Sequence, residues 1–173
     1  GKTLGILGFG RIGRSLASYA LGCGMKVIAT DIHASNGVVE LEINGDTISV
    51  DCPLVSLEDL LKESDMLSLH TPAQEDGRAV IGEEQFKLMK QGAFLINAAR
   101  GGVVDEDALL HALDSGKLLG AALDVFVGEP NPRIDLLSHP AISLTPHTGA
   151  ATSEAQDRIG LELASQIAEI AST

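Results

Sequence analysis

The chain has 173 residues, 45% of them apolar and 21% charged, which fits one soluble globular domain with a sizeable core. Its net charge of −12 argues against nucleic acid as a bulk partner, because a phosphate backbone demands a basic face. No apolar run is long enough to cross a bilayer, and Cys23 and Cys52 form neither a CxxC pair nor a disulfide framework, so a cytoplasmic protein with reduced thiols is expected.

In chain order, "KTLGILG" (2–8) reads as a strand and 11–21 as a helix with Ile12, Leu16 and Ala20 on one face. "KVIAT" (26–30) is a second strand. The stretch 38–52 alternates Leu41 and Ile43 with Ile48 and Val50 about Asn44-Gly45, the pattern of a hairpin with a type I′ turn. Ser56 opens a helix with Asp59 three residues on, a start like a capping box. Strands follow at 66–70 and 93–97, with a helix at 83–89 between them. Asp105 caps a helix that runs to Ser115 and is ended by Gly116. Strands at 118–125 and 141–145 precede a long helix over 153–171. Strand–helix repetition with nearly continuous apolar strands predicts an α/β fold: a Rossmann-type, doubly wound parallel sheet in three layers.

Gly8-Phe9-Gly10-Arg11-Ile12-Gly13 stands between the first strand and the first helix, and Asp31 ends the second strand. That context turns a weak GxGxxG string into a dinucleotide fingerprint. Gly8 allows the tight turn, Gly10 lets a pyrophosphate approach the backbone, and Gly13 lets helix pack on strand. The helix N-terminus offers amide donors to the phosphates. Asp31 would accept from the adenosine ribose and repel a 2′-phosphate, so NAD is expected over NADP.

Three further residues follow strands of the same sheet: Arg100 in "NAARGG", Glu129 beyond Asp124, and His147 in "SLTPHTGA". Ligands of an open parallel sheet bind outside the carboxyl ends of its strands, so these side chains can converge on the nicotinamide. Hydride transfer at a carbonyl needs a group that gives and takes a proton near neutral pH, which suits His147. A carboxylate at Glu129 favours the imidazolium, and the planar fork of Arg100 suits the carboxylate of a 2-hydroxy or 2-oxo acid. Taken singly, they read as a loop histidine, a turn acid and a surface ion pair. His70, before Thr71-Pro72, borders the cofactor or simply packs. No HxH, HExxH or Cys/His cluster marks a metal site.

"GKTLGILGFGRIG", "HTP", "LINAARGGVVDEDAL", "GAALDVFVGEP" and "TPHTGAATSEAQ" resemble, in order and spacing, the nucleotide-binding domain of the D-isomer-specific 2-hydroxyacid dehydrogenases. The resemblance covers nearly the whole chain. It implies that Arg100 binds the substrate carboxylate, His147 is the acid/base and Glu129 tunes it. It also implies NAD contacts from Arg11, Ile12, Thr71, Pro72, the backbone of Ala98, Ala99 and Arg100, and the loop His147, Thr148, Gly149 and Ala150. Asp124 would orient the nicotinamide carboxamide, and homodimers would pair through this domain.

"GKTLGILG" and "GAATSEAQ" are most like members acting on 3-phosphoglycerate in serine biosynthesis. Glyoxylate/hydroxypyruvate reduction, D-lactate oxidation and a corepressor-type, NAD-sensing binding module are the alternatives. Two departures stand out: Gly77 where relatives commonly carry threonine, and the hairpin at 38–52, which lies beyond Asp31 and is expected to bear on the adenine side of the pocket. In this family the domain is inserted in a substrate-binding domain, so an excised domain carrying half the substrate cleft is expected, the chain beginning Gly1-Lys2-Thr3 without methionine.

Overall fold

The computed structural model describes residues 1–149 and 151–171. The expected contact at Ala150 therefore lies outside the described residues.

Six strands form one parallel sheet: β1 (Thr3–Leu7), β2 (Lys26–Thr30), β5 (Met66–Leu69), β6 (Ala93–Asn97), β7 (Leu118–Leu123) and β8 (Ile142–Leu144), in the order β2-β1-β5-β6-β7-β8. The chain winds outward from β1 to β2 and resumes on the other side at β5, leaving a crevice where the order reverses. Alternate strand residues serve opposite faces, one core running along the sheet and a second covering the other face at β1 and β2, while Phe94 and Leu119 leave that face exposed on the β6–β7 side. Leu4 and Ile6 of β1 join Val27 of β2 under Ala17 and Ala20 of α1 (Arg11–Gly22). On the other face α2 (Leu57–Glu63), α3 (Glu83–Leu88) and α4 (Glu106–Asp114) lay Leu60, Leu61, Phe86 and Leu109 onto Leu67, Leu69, Leu95 and Leu118. Gly5 lets α2 come close, since a Cβ there would lie 1.9 Å from Ser64 Oγ.

The helix starts follow their caps. Ser56 accepts from Asp59 N at 3.1 Å and Asp105 from Ala108 N at 3.0 Å. Asp59 completes the Ser56 cap differently from a capping box, its Oδ2 accepting a hydrogen bond from the Ser56 hydroxyl at 2.6 Å.

The hairpin forms as β3 (Val38–Ile43) and β4 (Asp46–Asp51), with positive φ at Asn44 (54°) and Gly45 (91°), as a type I′ turn requires. It is a separate two-stranded sheet packed on α1 through buried Val39. Arg14 ties it down, donating to Asn36 O at 2.8 Å and to Val38 O, with its guanidinium 4.6 Å from the Phe9 ring centroid. The large sheet's outer position beside β2 is held instead by one parallel bridge, Ala29 with Leu54.

Beyond one-residue shifts at other ends, one boundary and one element differ from the sequence reading, while the last helix lies where it was expected. The strand expected over 118–125 ends at Leu123, so Asp124 is a loop residue. A short helix, α5 (Ile134–Leu137), follows Pro132 where no element was expected. The last helix, α6 (Ser153–Ala171), buries none of its described side chains and exposes Leu161, Ile167 and Ile170.

A candidate active site at the strand ends

Parallel pairing places the last residues of all six strands in one row: Thr30, Leu7, Leu69, Asn97, Leu123 and Leu144 are successive register partners. Five strand gaps make that row about 24 Å long. Each described candidate site residue lies at or just beyond it, from Asp31 at one end to His147 at the other.

At the β1 end the fingerprint fits a dinucleotide. Gly8 has φ +96°, and a Cβ there would lie 2.5 Å from His70 O. A Cβ on Gly13 would lie 2.3 Å from Gly8 O, so that glycine lets α1 seat against the turn. Gly10 faces open space instead and begins α1 without a side-chain cap, leaving the helix-start amides of Arg11 and Ile12 to face an anion.

Asp31 Oδ1 accepts from His33 N (2.6 Å) and Ala34 N (3.0 Å), and Oδ2 from Phe9 N (2.6 Å). Burial pushes its pKa up, but these three amides outweigh burial and hold it below the usual carboxylate range. A carboxylate accepts at about four sites, so one remains for a ribose hydroxyl. Asp31, His70, Thr71 and Pro72 share a cleft of about 380 Å³ with Leu7 and Val80. No hairpin residue lines that cleft. His70 does both things open to it: it lines the cleft and bonds Ser68 Oγ through Nε2 at 2.9 Å, and burial holds its pKa below histidine's ordinary value. The Arg11 side chain points elsewhere, forming an exposed ion pair with Glu162 of α6 at 3.0 Å.

At the β8 end His147 Nδ1 donates to Glu129 Oε2 at 2.7 Å, and Glu129 Oε1 accepts from Phe126 N at 2.7 Å. The His147 hydrogen bond leads the causes that hold Glu129 below the ordinary carboxylate pKa, followed by the Phe126 amide. Nε2 of His147 bonds no described residue and is left for a ligand. Both side chains open into a cleft of about 340 Å³ walled by Phe126, Pro130, Leu144 and Pro146.

Arg100 is exposed on the turn beyond β6, donates only to its neighbour Ala99 O (2.7 Å) and forms no ion pair with a described residue. The surface-ion-pair reading thus fails among these residues.

Asp124 is committed to the His147 loop: Oδ1 accepts from Thr145 Oγ1 (2.6 Å) and Thr148 N (2.8 Å), and Oδ2 from Gly149 N (2.9 Å). This clamp holds His147 in the left-handed region at φ 54°. Two supports escaped the sequence reading. Buried Asn97 closes the Arg100 turn, accepting from Ala99 N (3.1 Å) and donating to Arg100 O (3.2 Å). Thr145 completes the Asp124 clamp. An asparagine ending an apolar strand was the only signal for the first, and nothing in the sequence marks the second.

Residues 1–149 match the family described as D-isomer specific 2-hydroxyacid dehydrogenase, NAD binding domain. Hydroxypyruvate reductase of Thermotoga maritima is 44% identical over 170 residues, covering 96% of this chain and 52% of the reductase. Chloroplastic D-3-phosphoglycerate dehydrogenase 2 of Arabidopsis thaliana is 43% identical over 169 residues, 97% of this chain and 26% of that enzyme. The crystal structure of D-lactate dehydrogenase from Aquifex aeolicus, complexed with NAD and lactic acid, matches at a TM-score of 0.78. It is 36% identical, with 99% of this chain and 54% of that chain covered. The chain spans about half the length of these relatives, or less.

Proposed function

The chain belongs to the D-isomer-specific 2-hydroxyacid dehydrogenases, as their NAD-binding domain, and on that premise we propose that the full-length protein moves hydride between NAD and a D-2-hydroxy acid. The observation that carries this reading is the 2.7 Å pairing of His147 with Glu129, on the same row of strand ends as the glycine fingerprint. NAD, when bound, supplies the ring carbon that takes up the hydride.

The chain's own residues do the rest. Gly8, Gly10 and Gly13, with the amides of Arg11 and Ile12, cradle the pyrophosphate, and Asp31 takes the ribose. Thr71, Pro72, the Ala98–Arg100 backbone, Asp124, Thr148 and Gly149 border the nicotinamide end. Arg100 holds the substrate carboxylate in a bidentate grip, which orients the hydroxyl-bearing carbon. His147 Nε2 takes the hydroxyl proton as hydride leaves, and Glu129 stabilises the imidazolium that results. In reduction the same imidazolium returns the proton.

The favoured substrate is 3-phosphoglycerate, oxidised to 3-phosphohydroxypyruvate on the way to serine. The "GKTLGILG" and "GAATSEAQ" signatures and the similarity to the Arabidopsis dehydrogenase support it. A further stretch of chain supplies the other half of the substrate cleft, and the protein works as a homodimer paired through this domain.

A panel of 3-phosphoglycerate, D-glycerate, glycolate and D-lactate, with NAD and NADP, tests the substrate. In the full-length protein His147→Ala should lower turnover by roughly 10²- to 10⁴-fold while NAD affinity holds. As its companion, Glu129→Gln removes the charge beside the imidazole, so the acidic limb of the oxidation rate should move to lower pH. Near-normal turnover in the His147 variant refutes the assignment.

A further inference from the structure

Glu106 is the first residue of α4, and its side chain makes a hydrogen bond outside its own helix. It reaches the neighbouring loop, where its Oε1 accepts from Val127 N at 2.8 Å. The carbonyl of that same peptide unit, Phe126 O, faces Gly101, where an added Cβ would lie 2.0 Å away. One peptide, 126–127, is thus bonded at its N–H by Glu106 and closely approached at its carbonyl by Gly101, both on the segment that carries Arg100. The preceding amide, Phe126 N, belongs to Glu129 at 2.7 Å, and Glu129 in turn holds His147.

From this chain of contacts we infer that Glu106 is a positioning residue, coupling the Arg100 turn to the His147–Glu129 pair through the 126–127 peptide. The inference rests on the proposed dehydrogenase reading for its kinetic consequence, but not for its geometry. The distance from Arg100, which grips the carboxylate, to His147, which takes the proton, must be kept constant through turnover. Glu106 bridges the loops that carry them, so its loss lets the Glu129 loop drift from the Arg100 turn. A misplacement of about 1 Å costs up to roughly a hundredfold in rate.

Reach and charge can be separated. Glu106→Gln keeps an oxygen acceptor at the same length and loses the charge. Glu106→Asp keeps the charge at the helix start and is one methylene too short. In the full-length protein the Asp variant should lose roughly ten- to a hundredfold in kcat, with little change in NAD affinity. The Gln variant should recover most of the turnover. Exchange of the Val127 amide, followed by NMR, should speed up at least about tenfold in the Asp variant and stay slow in the Gln variant.

A charge effect at the helix terminus would reverse that order, leaving Asp active and Gln impaired, and would overturn the inference. So would wild-type kcat and Val127 exchange in the Asp variant. Glu106→Ala, a good helix former without the reach, repeats the test should the Asp variant not fold, and the same wild-type behaviour would count against the role. If the wild type oxidises no 2-hydroxy acid, the dehydrogenase reading falls while the amide exchange still decides the role of Glu106.

Discussion

Asp124 shows how much work a single carboxylate does at this rim. Burial pushes its pKa up, yet hydrogen bonds from Thr145, Thr148 and Gly149 outweigh burial and leave it below its ordinary value. A carboxyl lowered in the folded state stabilises the fold above its unfolded pKa of about 3.9, and that contribution disappears as pH falls through the folded value. Asp124→Asn puts an amide among donors it cannot fully accept from, so it should cost about 1–3 kcal/mol at pH 7. Urea unfolding should show the gap to wild type shrinking well below pH 4. An equal gap at pH 7 and pH 3 would mean that the clamp does not depend on charge. Arg100, His147 and Glu129 could be singled out as candidates in the sequence because each follows a strand and has a side chain with few other uses there. Thr145 and Glu106 could not be, because their partners lie 21 positions away, across loops whose approach no local pattern encodes, and Asn97, with partners 2 and 3 positions away, shows only as an asparagine ending an apolar strand.

At the scale of elements, propensity decided most boundaries. Caps at Ser56 and Asp105 and the Asn44-Gly45 turn all act over two or three residues, so local sequence suffices to place them. The hairpin can be tested apart from the site. A Cβ on Gly45 would meet no atom within 4 Å, but its φ of +91° is poorly tolerated by alanine. Gly45→Ala should therefore cost about 1–2 kcal/mol within the hairpin and lower Tm by a few degrees. NAD affinity should not change, because β3–β4 stays clear of the cleft beside Asp31. Weakened NAD binding would place the hairpin nearer the adenine side than the cleft lining indicates. The end of β7 was misread because Asp124-Val125-Phe126 continues the apolar run, while Asp124 leaves the strand register to serve the His147 loop.

For the whole molecule, the cores on the two sheet faces hold the row of strand ends in register. Leu95, at the centre of β6, is fully buried in the larger core with Leu67, Leu109 and Leu118. Leu95→Ala should cost about 2–5 kcal/mol, a large part of the 5–15 kcal/mol typical of a domain. Denaturant unfolding measures it, and a loss under about 1 kcal/mol would show that this core relaxes around the cavity.

The fold class, the hairpin and the choice of candidate side chains for the proposed reaction were determined by the sequence itself. They arise from short-range rules: residue period, caps, turn glycines and the chemistry each side chain can perform. Only the tertiary structure decided that Asp124 clamps the histidine loop, that Glu106 ties the Glu129 loop to the Arg100 turn, and that the hairpin stands apart from the cofactor cleft. Those are distances between segments far apart in the chain, set by how the two cores pack, and no periodicity in one segment carries information about its distance from another.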